Sequence, residues 1–142
     1  MRYIFIFFLN IYYLFFTSAH AQEVITQPRL MLYAGSLYKD FIGCLNCDQY
    51  NFISVWNNYS PYGWDNTYTK YSHFYTYRQE HGIYSACDPY ATHPPRIVDK
   101  ENKIYGYLNI SKTRHDSVCY PNAMKVVCEK LTEICNHEKP FS

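Results

Sequence analysis

The sequence predicts an α+β domain braced by disulfides. Three observations carry that reading: two short apolar runs around Gly35-Ser36, a second strand–turn–strand pattern after Pro94-Pro95, and one amphipathic helical stretch near the end. Strands gathered into hairpins, with a single helix segregated from them, define the class.

Ahead of the first hairpin the chain reads MRYIFIFFLNIYYLFFTSAHAQ. Arg2 gives a positive n-region, residues 3–16 an apolar h-region, and Ala19-His20-Ala21 an A-x-A cleavage site. The apolar run is short of the roughly 20 residues that span a bilayer. The pattern therefore predicts a signal peptide over residues 1–21 and a single small exported domain over residues 22–142, secreted or periplasmic; the competing reading is an uncleaved anchor. No later segment has the length and apolarity of a span, so no membrane contact is expected after cleavage.

The 13 Lys and Arg nearly balance the 12 Asp and Glu, with no basic stripe to suggest nucleic acid. The first hairpin is placed at residues 29–34 and 37–45, on either side of Gly35-Ser36. Residues 47–95 lack a sustained helical period and abound in Asn, Ser, Pro, Gly and Asp, yet they are too aromatic for a disordered linker. They read as an ordered, tyrosine-rich, Ω-like region. Within it, Ser54-Val55-Trp56-Asn57-Asn58-Tyr59 echoes Ser85-Ala86-Cys87-Asp88-Pro89-Tyr90, which suggests a short repeat whose units each make a turn and dock a tyrosine. The second hairpin is expected at Arg96–Val98 and 103–110, turning at residues 99–102. From Pro121, suited to a first helical position, a helix of about four turns sets Met124, Val127, Cys128, Leu131, Ile134 and Cys135 on one face.

The motifs GCLNC, SVWNNYSPYG, SACDPYATHPP and RIVDKENKIYGYLNI resemble a group of small, uncharacterised bacterial proteins. These share a strand ending in G-C-L-N-C, S-x-x-N-x-Y-G-x-Y-G repeats, a P-P-x-x-V-D hairpin and a final helix. The resemblance covers roughly residues 40–135 and implies a shared fold and no particular activity. Ser60 and Ala91 stand where the group has glycine, which puts any positive φ at those turns in question. Cys128 and Cys135 look like additions to the pattern.

All six cysteines, Cys44, Cys47, Cys87, Cys119, Cys128 and Cys135, follow the expected cleavage site, as a disulfide framework in an exported chain requires. Cys128 and Cys135 would lie about 10.5 Å apart along a helix, beyond disulfide reach. Cys119 precedes the helix at the end remote from Cys135, so Cys135 is expected to reach Cys44, Cys47 or Cys87. A Cys44–Cys47 bridge would then require Cys87–Cys135 with Cys119–Cys128, the latter folding back over two helical turns. The expectation is therefore that Cys44 and Cys47 join different partners.

Chemistry is sparse. A thioredoxin-like use of Cys44 and Cys47 wants a helix N-terminus or a cation to lower a thiol pKa, and Asp48 has the wrong sign. No second C-x-x-C, and no closely spaced histidine pair, completes a zinc site; no metal or cofactor is expected. No G-x-S-x-G, H-E-x-x-H or P-loop is present. His115-Asp116 are sequence neighbours and unlikely to share a proton. Asn58 and Asn109 head glycosylation sequons that carry no meaning in a bacterial protein. The Tyr/Ser/Asn/Gly mixture of residues 50–90 resembles an antibody paratope. Trp56, Tyr62, Trp64, Tyr71 and Tyr75 are the candidate contacts for a protein or glycan partner. The function predicted is an exported, non-catalytic binding or structural module of the cell envelope or extracellular space. The alternative is a secreted or periplasmic enzyme: a hydrolase, or an oxidoreductase using Cys44 and Cys47.

Overall fold

The computed structural model describes residues 27–64 and 82–137. The expected signal peptide and its cleavage site lie outside the described residues. Strands β1 (Met31–Ala34), β2 (Asp40–Cys44), β3 (Arg96–Val98) and β4 (Ile104–Tyr107) form an antiparallel sheet in the order β2-β1-β3-β4. Helix α1 (Lys125–His137) follows. The α+β class and both hairpins agree with the sequence reading. The first connection is wider than a two-residue turn: Gly35 (φ 86°) and Tyr38 (φ 51°) both turn left-handed, and the Tyr38 N–H meets the Gly35 carbonyl at 3.1 Å. The second turn is organised by Asp99, whose carboxylate accepts from the Glu101 and Lys103 N–H groups and from the Tyr105 hydroxyl.

The two hairpins are the same structure twice. Met31, Leu32 and Tyr33 pair with Cys44, Gly43 and Phe41; Arg96, Ile97 and Val98 pair with Tyr107, Gly106 and Ile104. Both ladders carry an irregularity after the second pair. In both, the opposing glycine has nearly the same backbone, φ 129° at Gly43 and 127° at Gly106. A Cβ there would come within 2.6 Å of Val55 Cγ1 and 2.7 Å of the Asp116 carbonyl oxygen, respectively. Where β1 meets β3, Leu32 pairs with Ile97, Met31 with Val98 and Tyr33 with Arg96, the reciprocal pairing that a two-fold axis between them requires.

The correspondence continues past the strands. Ser54 lies beside Cys44 and Ser117 beside Tyr107, each through a parallel bridge. Cys44 N–H donates to the Ile53 carbonyl and Tyr107 N–H to that of Asp116; Val55 N–H returns to Cys44, and Val118 N–H to Tyr107. Each outer strand is thereby covered by a passing segment, which guards an otherwise open sheet edge.

Those segments are built of turns repeating every three residues. Asp48, Asn51, Ser54, Asn57 and Ser60 each accept, on a side-chain oxygen, the N–H two residues on. Each also accepts, on its carbonyl, the N–H three residues on. Short oxygen-bearing side chains are suited to this because they reach their own backbone locally. Ser85 and Asp88 do the same for the N–H groups of Cys87 and Tyr90, and Ser117 for Cys119. The echo between residues 54–59 and 85–90 is thus a repeat of turns. Its tyrosines do not dock: Tyr59 is 98 % and Tyr90 89 % exposed. Ser60 and Ala91 are both buried, and neither has positive φ, so glycine is not needed there.

Leu32, Ile42, Ile97, Leu108, Val55, Val118, Leu131 and Ile134 form the centre of the core. The expected apolar face of the helix packs against it. The helix starts later than expected, because residues 121–124 form a turn in which Asn122 takes φ 117°.

That late start decides the disulfides. The pairs are Cys44–Cys47, Cys87–Cys135 and Cys119–Cys128, with Cα separations of 5.6, 5.5 and 5.1 Å. The expectation that Cys44 and Cys47 join different partners is wrong. Cys128 lies in the first turn of α1, so Cys119 reaches it across a loop and folds back over no helix. The chain bends directly after β2, which brings Cys47 back to Cys44. Two exclusions hold: Cys135 bonds neither Cys128 nor Cys119, and it takes Cys87.

Candidate functional site

The Trp64 N–H donates to the Val55 carbonyl at 2.9 Å. This bond folds the three-residue turns back and sets Trp64 near Trp56. The Trp56 indole Nε1–H donates to the Leu45 carbonyl at 2.6 Å, which fixes its ring against the core. Helix α1 completes the arrangement. Trp56, Trp64, Lys130, Glu133 and Ile134 line a cleft of about 200 Å³, and the Lys130 ammonium stands 4.5 Å from the Trp56 ring centroid. The cleft offers two indoles, one cation and one carboxylate, with an aliphatic floor from the buried Ile134.

Of the five residues expected to bind, the structure thus brings Trp56 and Trp64 together. Tyr62 faces elsewhere: its ring packs edge-on against Phe41, at 5.1 Å between centroids, and against Phe52 at 6.3 Å. Tyr71 and Tyr75 lie outside the described residues. Lys130 and Glu133, which lie off the apolar face expected of the helix, stand in the cleft. Their spacing on α1 places them on one side, but nothing in the sequence shows which surface that side meets.

Part of the paratope-like composition serves the backbone. The oxygens of Ser54, Asn57 and Ser60 are engaged with backbone N–H groups, so they serve the turns. Asn109 is fully buried, and its side-chain amide donates to the carbonyls of Ser85 and Asp88. No glycan can be attached there.

The enzymatic alternatives find little support in the geometry. Cys44 is fully buried and Cys47 9 % exposed, and the chain after Cys47 turns without forming a helix. The bridge is out of reach of a thiol substrate and has no helix dipole to lower a thiol pKa. The Ser117 hydroxyl, near His115-Asp116, is buried and donates to the Asn109 carbonyl, while Asp116 is paired with Arg114. Among the described residues, no three His, Cys, Asp or Glu gather as a metal site, and no helix is long and apolar enough to cross a membrane.

A second polar feature escaped the sequence reading. The Arg96 guanidinium lies 3.8 Å above the Tyr38 ring, which also stacks on the His93 imidazole and meets the Tyr107 ring at 6.0 Å between centroids. Burial, followed by the nearby Tyr107, pushes the Tyr38 hydroxyl pKa up. The ring's left-handed backbone is an uncommon one for a bulky residue, and it delivers the tyrosine onto Arg96.

No family model, curated protein or solved structure matches this chain.

Proposed function

We propose that this chain is an exported, disulfide-stabilised, non-catalytic binding module of the cell envelope or extracellular space, and that its cleft takes a sugar ring. In this reading residues 47–95 serve as the Ω-like region that their turn-rich, aromatic composition suggests. The observation that carries the proposal is the meeting of Trp56 and Trp64 with Lys130 and Glu133 in one cleft. Indoles supply flat apolar faces, and a flanking cation and carboxylate supply the few polar contacts that orient a ligand. Three disulfides accord with an oxidising compartment.

The chain has two tryptophans, and both line this cleft, so fluorescence excited to the red of tyrosine absorption reports it. Titration with chitotriose, cellotriose and maltotriose should give a saturable change with at least one of them. Trp64→Ala should abolish the change while leaving far-UV circular dichroism intact. A flat response to all three, from folded protein, would refute the sugar reading.

A further inference from the structure

Among the described residues, the two-fold correspondence leaves one position filled in the first half and open in the second: Tyr120 packs on His115 at 4.4 Å between ring centroids, but no ring covers Ile104 as Tyr62 covers Phe41. In the first half, the unit Ser60-Pro61-Tyr62 seats the Tyr62 ring on Phe41 and Phe52. Its Cβ lies 3.3 Å from where a Gly43 Cβ would stand. The residues equivalent to Phe41, Gly43 and Phe52 are Ile104, Gly106 and His115. These three line a cleft of about 300 Å³, together with Tyr105, Tyr107 and Met124.

The vacancy has a cause in chain length. The first half returns to its buried valine through Trp64 N–H on the Val55 carbonyl, and the second through Met124 N–H on the Val118 carbonyl. The second return is three residues shorter, which is one turn unit. The missing unit is the one that carries Tyr62. Ile104, 51 % exposed, is left as an uncovered apolar wall.

We propose that this cleft receives Tyr90 from a second copy of the chain. Tyr90 ends Asp88-Pro89-Tyr90, a unit built as Ser60-Pro61-Tyr62 is. The Tyr90 N–H meets Asp88 Oδ1 at 2.8 Å where the Tyr62 N–H meets Ser60 Oγ at 3.0 Å. In both units the next N–H meets the first carbonyl at 3.0 Å. Tyr62 is half-buried, whereas Tyr90 is 89 % exposed. The second copy therefore presents the same side chain, on the same turn, that the equivalent cleft already holds. Two such insertions about a two-fold axis close a dimer.

Sedimentation equilibrium of the purified protein, at concentrations up to about 1 mM, the weak limit of the affinity scale, tests this directly. The average mass should rise with concentration. Tyr90→Ala should lower the association constant at least about tenfold, as for a buried aromatic anchor. Ile104→Trp, which fills the cleft with a residue suited to a strand, should do the same, and the equally exposed Tyr59→Ala should not. The peptide acetyl-Asp-Pro-Tyr-Ala-amide should compete and should shift the Gly106 amide resonance. A protein that stays monomeric throughout overturns the proposal, even if the peptide binds. So does equal loss from Tyr59→Ala and Tyr90→Ala.

Discussion

The two halves of this molecule share a backbone and differ in how it is closed. Residues 31–64 are stapled within themselves by Cys44–Cys47 and capped by Tyr62 and Trp64. The hairpin of residues 96–120 has Tyr107 where the first half has Cys44. It is tied outward through Cys119 to the helix, which is anchored at its far end to Cys87. Trp56 and Cys119 occupy equivalent places, and both take an N–H bond from their backbone to the preceding serine hydroxyl. One half therefore spends that place on an indole for a cleft, and the other on a covalent link. Ligand chemistry and bracing are alternative uses of one scaffold position.

This comparison can be broken at several points, and the disulfides give the largest expected effect. In the chain-entropy account, replacing Cys87 and Cys135 with alanine should cost about 4 kcal/mol, Cys119 and Cys128 about 2.6, and Cys44 and Cys47 about 1.6. Chemical denaturation of the three double variants measures the order. A first-half bridge worth more than the Cys87–Cys135 bridge would show that the first half is not self-supporting.

The glycines come next. Gly43→Ala and Gly106→Ala combine left-handed strain with a close approach and should each cost about 3 kcal/mol. Gly82, with φ 153° and open space around its missing Cβ, should cost about 1 kcal/mol. Near-equality of the first two is what two-fold equivalence demands. A Gly106 variant as mild as Gly82→Ala would deny it.

Ser54→Ala and Ser117→Ala follow. Both hydroxyls are buried, donating to the carbonyls of Cys47 and Asn109 and accepting from Trp56 and Cys119. Loss of either should cost about 1–3 kcal/mol, and thermal melts should rank the two alike.

The smallest effect separates the hairpin turns by pH. Burial works against ionised Asp99, but the Lys103 N–H, the Tyr105 hydroxyl, the Glu101 N–H and the Lys103 charge outweigh it and hold its pKa below the ordinary value. A depressed carboxyl contributes stability above its unfolded pKa, and that contribution is lost as pH falls through the folded value. Acid titration should move the Glu101 and Lys103 amide resonances below about pH 4. The Tyr38 amide, closed on a carbonyl, should stay still, and Asp99→Asn should remove the Glu101 and Lys103 transition.

Much of the fold was legible because local chemistry dictated it. Apolar runs marked both hairpins, Asp99 marked its turn, and spacing marked the buried face of α1. The helix start was not legible, since Pro121 favours an earlier one and only tertiary contacts impose the Asn122 turn. That one displacement misdirected the cysteine pairing. The three-residue period is present in Asp48, Asn51, Ser54, Asn57 and Ser60, but Asp, Asn and Ser alternate along it, so no single residue type marks the repeat. The two-fold repeat was also present, as Gly43-Cys44-Leu45-Asn46 against Gly106-Tyr107-Leu108-Asn109 and Ser54-Val55 against Ser117-Val118. Half of the candidate cleft was visible in Trp56 and Trp64. Lys130 and Glu133 enter it through the packing of α1, which no local pattern encodes.

Non-reducing peptide mapping of the native protein tests the central claim, that each half is closed in its own way. The account predicts peptides joined through Cys44–Cys47, Cys87–Cys135 and Cys119–Cys128. A bridge from Cys44 or Cys47 to any of the other four cysteines would contradict it.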